Sequence, residues 1–340
     1  MIVFRVDANS MIGKGHMIRC ISVATSIKMM GGKVLFVTRE DSDTSLLESK
    51  FMEFRTIPSG KLCSEESTKD LFNILCETKA DLCVVDSYDV SNEFFHVLKE
   101  ICKVVLIEDI LYDVYDVDAL INYNIYASKM DYKKKYPNST KLILGMDYAP
   151  VRPEYSTSVR KHSDEINTIL VSTGDSDLYE IAPGIVDSLL DVIDDNVRLR
   201  VITSKNSPTR DILYKMSNSS SQIIIEQDIV SMTKLLGICD LAVTACGPAC
   251  YDFITMGIPT CAFLYDYNQK MLLDTLVEEK LVAFGGDFVK NKNKFYGELV
   301  RGVETLFDSE TRKSYLRNFD KYNLGKSNDS LAKEILELEK

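Results

Sequence analysis

Residues 7–20 read DANSMIGKGHMIRC, a loop carrying two glycines, one of the chain's three histidines and an arginine three residues after it. The loop follows the strand-like run MIVFRV and leads into ISVATSIKMM, whose apolar residues recur at helical spacing. Two phosphate-binding patterns fail here. A dinucleotide fingerprint needs a third glycine where Ile18 stands, and a Walker loop needs G-x-x-x-x-G-K-[ST], which is absent. Gly13 and Gly15 allow a close backbone approach, and His16 falls at a helix start. Arg19 projects from the same helix face as His16. A helix N-terminus favours the neutral imidazole, which can accept a proton as a general base. The alternative is a histidine that only caps or packs.

Three further loops carry polar chemistry. GDSD, Gly174 to Asp177, follows the run ILVST, and CGPACYDF follows LAVTA. Gly247 and Pro248 read as a helix opening, with Pro248 at the first helical position. Free N–H groups at such an opening can hold a phosphate. Asp252, about one turn on, can accept hydrogen bonds from a pair of ribose hydroxyls. Asn268 and Gln269 follow the strand-like TCAFLYD. Cap, turn and surface amide are the plainer readings of each residue taken singly.

The elements that must position these loops alternate along the chain. IVFRV, KVLFV, DLCVVD and KVVLIED read as strands, with helices near 17–30, 44–50, 67–79 and 91–101. Continuous apolar runs, rather than strict alternation, indicate strands covered on both faces of a parallel sheet. Pro150 and Pro153 end this series. A second series follows: NTILVSTG, VRLRVITS, SQIIIEQ, DLAVTAC and PTCAFLYD. The expected architecture is α/β, with two Rossmann-like domains over 1–150 and 151–310. A helical tail over 311–340 carries Leu331, Ile335 and Leu338 at helical spacing. Ligands of such sheets bind at the carboxyl ends of the strands, so two facing sheets would enclose a central cleft there.

Composition excludes several classes. The formal charge of −11 over 340 residues argues against a nucleic-acid partner. The brief KKK at 133–135 reads as a solvated turn. No apolar run approaches the roughly 18 residues that span a bilayer, and Arg5 and Asp7 interrupt any leader-like start. Cys83, Cys102, Cys239 and Cys261 sit inside apolar runs, as reduced cysteines of a cytoplasmic protein do. Cys246 and Cys250 have no neighbouring histidine to complete a zinc site. Asp175-Ser176-Asp177 and Asp116-Val117-Asp118 are short D-x-D patterns, read as solvated loops rather than metal ligands.

The order of these loops resembles a known family. D-A-N-S-x-I-G-x-G-H-x-x-R-C is similar to the opening signature of the UDP-sugar hydrolases of pseudaminic acid biosynthesis (PseG type) and their spore-coat polysaccharide relatives. VVDSYDVS at 84–91, INYNIYAS near 121–128 and ILGMDYAPVRPEY at 143–155 resemble later segments of that family. The second domain resembles the nucleotide-binding half of GT-B glycosyltransferases. The resemblance covers about residues 1–290. It implies metal-free, cofactor-free hydrolysis of a UDP-linked diacetamido-trideoxy sugar, with His16 as the base that activates water. It further implies that Asp7, Tyr88, Asn268 and Gln269 hold the sugar, with Gly13, Gly15 and Arg19 around it. Gly174, Ser176, Gly247, Pro248 and Asp252 would hold UDP.

The chain departs from the family pattern at Asp175, where glycine is usual, and at Pro248, where a hydroxyl is common. Asp252 replaces a glutamate, and Glu108-Asp109 replaces Asp-Asp. The expected partners are the UDP-sugar and other enzymes of the sugar pathway. Two alternatives accompany this expectation: a GT-B glycosyltransferase using a UDP-sugar donor, and a non-catalytic nucleotide-sugar-binding subunit.

Overall fold

A computed structural model describes residues 1–9, 12–60, 62–156, 164–174, 177 and 179–339. The chain forms two compact units, Met1–Pro153 with Leu324–Lys340, and Glu154–Asn323.

The first unit holds a seven-stranded sheet: β1 (Ile2–Val6), β2 (Val34–Arg39), β3 (Phe54–Ile57), β4 (Leu82–Asp86), β5 (Lys103–Ile107), β6 (Ala119–Asn122) and β7 (Lys141–Leu144). The order is β3-β2-β1-β4-β5-β6-β7, and every pairing is parallel. Every residue of β1 and β4 is buried, as the unbroken apolar runs require of strands covered on both faces. Arg5 in β1 and Asp86 at the end of β4 are the exceptions in polarity. Arg5 is fully buried, and its guanidinium grips Asp7 two residues on, on the same face of the strand.

The chain leaves β1 toward β2 on one side and β4 pairs β1 on the other, so the strand order reverses between β1 and β4. The loops after these two strands therefore diverge and open a crevice at the carboxyl edge. The loop after β1 leads into the helix Gly15–Met29. The loop after β4 leads into Asn92–Lys99, capped by Ser91, whose hydroxyl accepts from the Phe94 N–H.

The second unit repeats this plan with β8 (Thr168–Ser172), β9 (Arg198–Ile202), β10 (Ile223–Glu226), β11 (Leu241–Ala245), β12 (Thr260–Leu264) and β13 (Ala283–Asp287). The parallel order β10-β9-β8-β11-β12-β13 reverses between β8 and β11. Gly174 and Gly247 follow these two strands.

The segment expected as one closing tail, 311–340, is divided. The helix Ser309–Phe319 belongs to the second unit and Ser327–Glu339 to the first. Ser327 donates to the Ala149 carbonyl at 2.6 Å, and Asn328 donates to that of Val151. Leu331 and Ile335 are fully buried and belong to the core of the first unit, while Leu338 is half-buried. No helix among the described residues is long and apolar enough to cross a membrane. Cys83, Cys102, Cys239 and Cys261 are buried thiols, and Lys133, Lys134 and Lys135 are exposed.

Candidate active site

The loop after β1 is a tight turn. Asn9 and Gly13 form a bridge in which the Gly13 N–H donates to the Asn9 carbonyl at 2.8 Å. The Asn9 side chain also accepts from the Ile12 N–H. Gly13 has φ +77°, a conformation that costs glycine alone nothing. The turn delivers His16 to the second position of its helix.

There His16 Nδ1 meets Asp86 Oδ1 at 2.6 Å, at the carboxyl end of β4. Arg19 lies one turn further along the same helix. Its Nε and Nη2 donate to the two oxygens of Asp86 at 2.6 and 2.5 Å. Its Nη1 donates to Asp109 at 2.9 Å and to the Tyr123 hydroxyl at 2.7 Å. Tyr88 closes the circuit. Its hydroxyl donates to Asp109 Oδ2 at 2.5 Å, and its ring stands edge-on to His16 with centroids 5.1 Å apart. Three strand ends are thus tied into one network. Asn124 and the Tyr126 hydroxyl brace Asp109 further.

Electrostatics fix the protonation states. Burial alone would raise the Asp86 carboxyl, but the charge of Arg19, with the hydrogen bonds from Arg19 and His16, holds it far below the ordinary range. Asp109 is likewise held down, against its burial, by Arg19 and the Tyr88 hydroxyl. Burial, with Asp109 beside it, raises the Tyr88 hydroxyl, so it stays protonated and donates. Nδ1 of His16 lies 2.6 Å from Asp86 Oδ1 and 3.0 Å from Arg19 Nη2. The nearer carboxylate can only accept, so a neutral imidazole bonded to it carries its proton on Nδ1. Nε2 then carries the lone pair. Among the described residues, His16 makes no side-chain hydrogen bond through Nε2. A pocket of about 150 Å³ lies here, lined by His16, Asp86, Ser87, Tyr88, Asp7 and Arg39 among others.

The residues expected to surround a sugar fall into different roles. Asp7 lines this pocket but is almost wholly buried. Its oxygens accept from Arg5 at 2.6 and 2.8 Å and from the Arg39 N–H at 2.9 Å. Burial would raise its carboxyl; Arg5 outweighs this and lowers it. Its acceptor capacity is thereby committed to the chain. Arg19 has every guanidinium nitrogen engaged within the network, so it positions Asp86 and Asp109. Tyr88 presents its face openly, being 66% exposed. Asp86, the partner that orients His16, did not figure among the expected site residues. The usable signal was an acidic residue closing the apolar run LCVVD, at the edge where such sheets bind ligands.

The remaining expected residues belong to the second unit. Gly174 has φ +91°, and a Cβ there would meet the Tyr265 hydroxyl at 3.3 Å. Ser176, with Asp175, lies outside the described residues. Asp177 caps the helix Ala182–Leu190, accepting from the Ile181 and Ala182 N–H groups and from the Thr209 hydroxyl. Pro248 is the N-cap of Ala249–Thr255 rather than its first helical residue, one position earlier than expected. Gly247 precedes it, and half-buried Asp252 sits in the helix's first turn. Asn268 is exposed, and the Gln269 side-chain oxygen accepts from the Tyr265 N–H at 3.4 Å. In the first unit, Asp118 accepts from the Val104 N–H and Asp116 from Lys99.

No protein-family model matches the chain. Over 241 residues it is 24% identical to the UDP-2,4-diacetamido-2,4,6-trideoxy-beta-L-altropyranose hydrolase of Campylobacter jejuni, covering 69% of this chain and 81% of that protein. Among solved structures, Staphylococcus aureus MnaA with UDP superimposes with a TM-score of 0.70 at 14% identity, over 99% of this chain and 97% of that one. Acinetobacter baumannii MurG superimposes with a TM-score of 0.69 at 11% identity, over 99% of both chains. The fold is GT-B. An uncharacterized protein of Methanocaldococcus jannaschii is 23% identical over 290 residues, 82% of this chain but only 58% of that longer protein.

Proposed function

We propose that this GT-B chain hydrolyses a UDP-linked diacetamido-trideoxy sugar without a metal, using His16 as general base. The observation that carries the reading is the His16–Asp86 pair. Asp86 holds the Nδ1 proton and leaves Nε2 to take a proton from water. Arg19 and the two carboxylates it bridges leave one negative charge unbalanced. A proton gained at Nε2 balances it, so the network is built to receive one. The distant likeness to the Campylobacter hydrolase supports the substrate class.

In this reading, water loses a proton to Nε2 as its oxygen bonds to the anomeric carbon. The bond from that carbon to the diphosphate oxygen breaks, and UDP departs with the electron pair. Tyr88 faces the sugar, with Asn268 and Gln269 as further contacts. Gly174, Ser176, Gly247, Pro248 and Asp252 hold the nucleotide, where backbone N–H groups offset the charge developing on the diphosphate. The pathway is one that makes nonulosonic acids or surface polysaccharide, and its other enzymes are the expected partners.

A glycosyltransferase is the second reading, favoured by the solved structure of a Rickettsia africae glycosyltransferase with a TM-score of 0.67. The same base would then act on an alcohol. Turnover in ¹⁸O-water without acceptor separates the two. Hydrolysis at carbon places ¹⁸O in the free sugar and none in UDP. Absence of turnover until an alcohol is supplied overturns the hydrolase reading.

A further inference from the structure

Four carboxylates stand at the carboxyl ends of β1, β4 and β5: Asp7, Asp86, Glu108 and Asp109. The chain gives three of them a guanidinium. Arg5 pairs with Asp7, and Arg19 with both Asp86 and Asp109. Glu108 has none among the described residues. It is only 6% exposed; the Tyr132 hydroxyl stands by its carboxyl group, while its Oε1 is buried without a hydrogen-bond partner. Leaving a buried polar atom unpaired costs about 1–3 kcal/mol, more when it is charged.

Glu108 forms part of the wall of a second cavity of about 350 Å³. The wall is otherwise aromatic and aliphatic, with Tyr88, Tyr112, Tyr115, Leu106 and Ile110. Tyr112 and Tyr88 are largely exposed, so the cavity mouth presents aromatic surface to solvent. Among the described residues, no cationic side chain lines it. This cavity shares Ser87 and Tyr88 with the lining of the His16 pocket.

We infer that this cavity is a binding site for a small molecule carrying an ammonium group on an apolar body, with Glu108 as its counter-charge. The missing guanidinium is supplied by the ligand. The tyrosine faces add attraction for the same cation, about 0.5–2 kcal/mol for each well-placed ring. A neutral alcohol of the same shape gains the apolar contacts and forgoes the charge. The groups facing Glu108 are Asp109, Tyr132, Tyr115 and Tyr136. The tyrosines stay protonated and Asp109 stays ionised in the working range, so Glu108 is the group that changes. Burial, with Asp109 nearby, raises its carboxyl to about 7. The inference does not rest on the nucleotide-sugar reading, and its test uses no nucleotide.

The test is titration of the intact protein with benzylammonium chloride and with benzyl alcohol, at pH 8 and pH 6. The ammonium compound is expected to bind at least tenfold more tightly than the alcohol at pH 8. Its affinity should fall about tenfold at pH 6, as Glu108 passes from mostly ionised to mostly protonated. Glu108→Gln, nearly the same in shape and free of the buried charge, should abolish both the preference and the pH dependence. Equal affinity for the two probes, affinity independent of pH, or no saturable binding of the ammonium compound to wild type would each overturn the inference. Undiminished binding by Glu108→Gln would do the same.

Discussion

The Nδ1 of His16 lies 2.6 Å from Asp86 Oδ1, while Arg19 holds both oxygens of that carboxylate. An imidazole, the carboxylate bonded to it and the guanidinium that holds that carboxylate are thus assembled from one helix and one strand end. The arrangement sets which nitrogen of His16 carries the proton, and that choice decides whether the histidine can act.

Asp86→Asn tests the orienter. The amide can turn its N–H₂ toward Nδ1, which would place the histidine proton on Nε2. UDP release should fall about 10²-fold or more, within the range that general-base catalysis contributes. Nucleotide affinity should stay unchanged, as calorimetry with UDP would show. Activity within threefold of wild type would remove Asp86 from the mechanism.

Arg19→Met tests the positioning role. The variant leaves Asp86 and Asp109 without their shared cation, and breaking a buried pair costs about 3–5 kcal/mol. Denaturant unfolding should show that loss. If the protein folds, kcat should fall much more than KM rises. A selective rise in KM with stability intact would instead make Arg19 a substrate contact.

Much of this was legible in the chain's sequence. Gly13, His16 and Arg19 fall within one strand-loop-helix unit, where spacing translates directly into geometry. Asp86 lies 70 residues from His16, and only the parallel pairing of β1 with β4 brings them together. Short or polar strands escaped the apolar pattern. In β3, Arg55 and Thr56 are exposed. β13 carries Gly285 and Gly286, and a Cβ on Gly285 would meet Cys261 Sγ at 2.9 Å. Asp7 illustrates the opposite limit. Its place after β1 marks it as a site residue, yet Arg5, two residues earlier on the same strand face, takes its oxygens.

Glu108 predicts a stability change with pH. Its folded value, raised to about 7 from the ordinary 4.5, means the folded state binds the extra proton between those limits. Stability therefore falls as pH rises from about 4.5 to 7 and levels off above, by a total on the order of 3 kcal/mol. Glu108→Gln removes this component. Its stability advantage over wild type in urea unfolding should grow from pH 5 to pH 7.5. A constant difference would contradict the assignment.

Asp252→Ala tests the nucleotide half of the proposal. In that proposal Asp252 accepts from the ribose hydroxyls, so its loss should weaken UDP binding about tenfold, given about 1.5–3 kcal/mol for hydrogen bonds to a charged group. Equal affinity in calorimetry would argue against that role.

The most direct measurement is UDP release from the UDP-diacetamido-trideoxy sugar, with EDTA and no acceptor, for wild type and His16→Ala. Rapid release by wild type and a loss of about 10²-fold or more in the variant, with UDP affinity retained, is the predicted result. Comparable rates for the two proteins, or no release by either while UDP still binds, would contradict a hydrolase that works through His16.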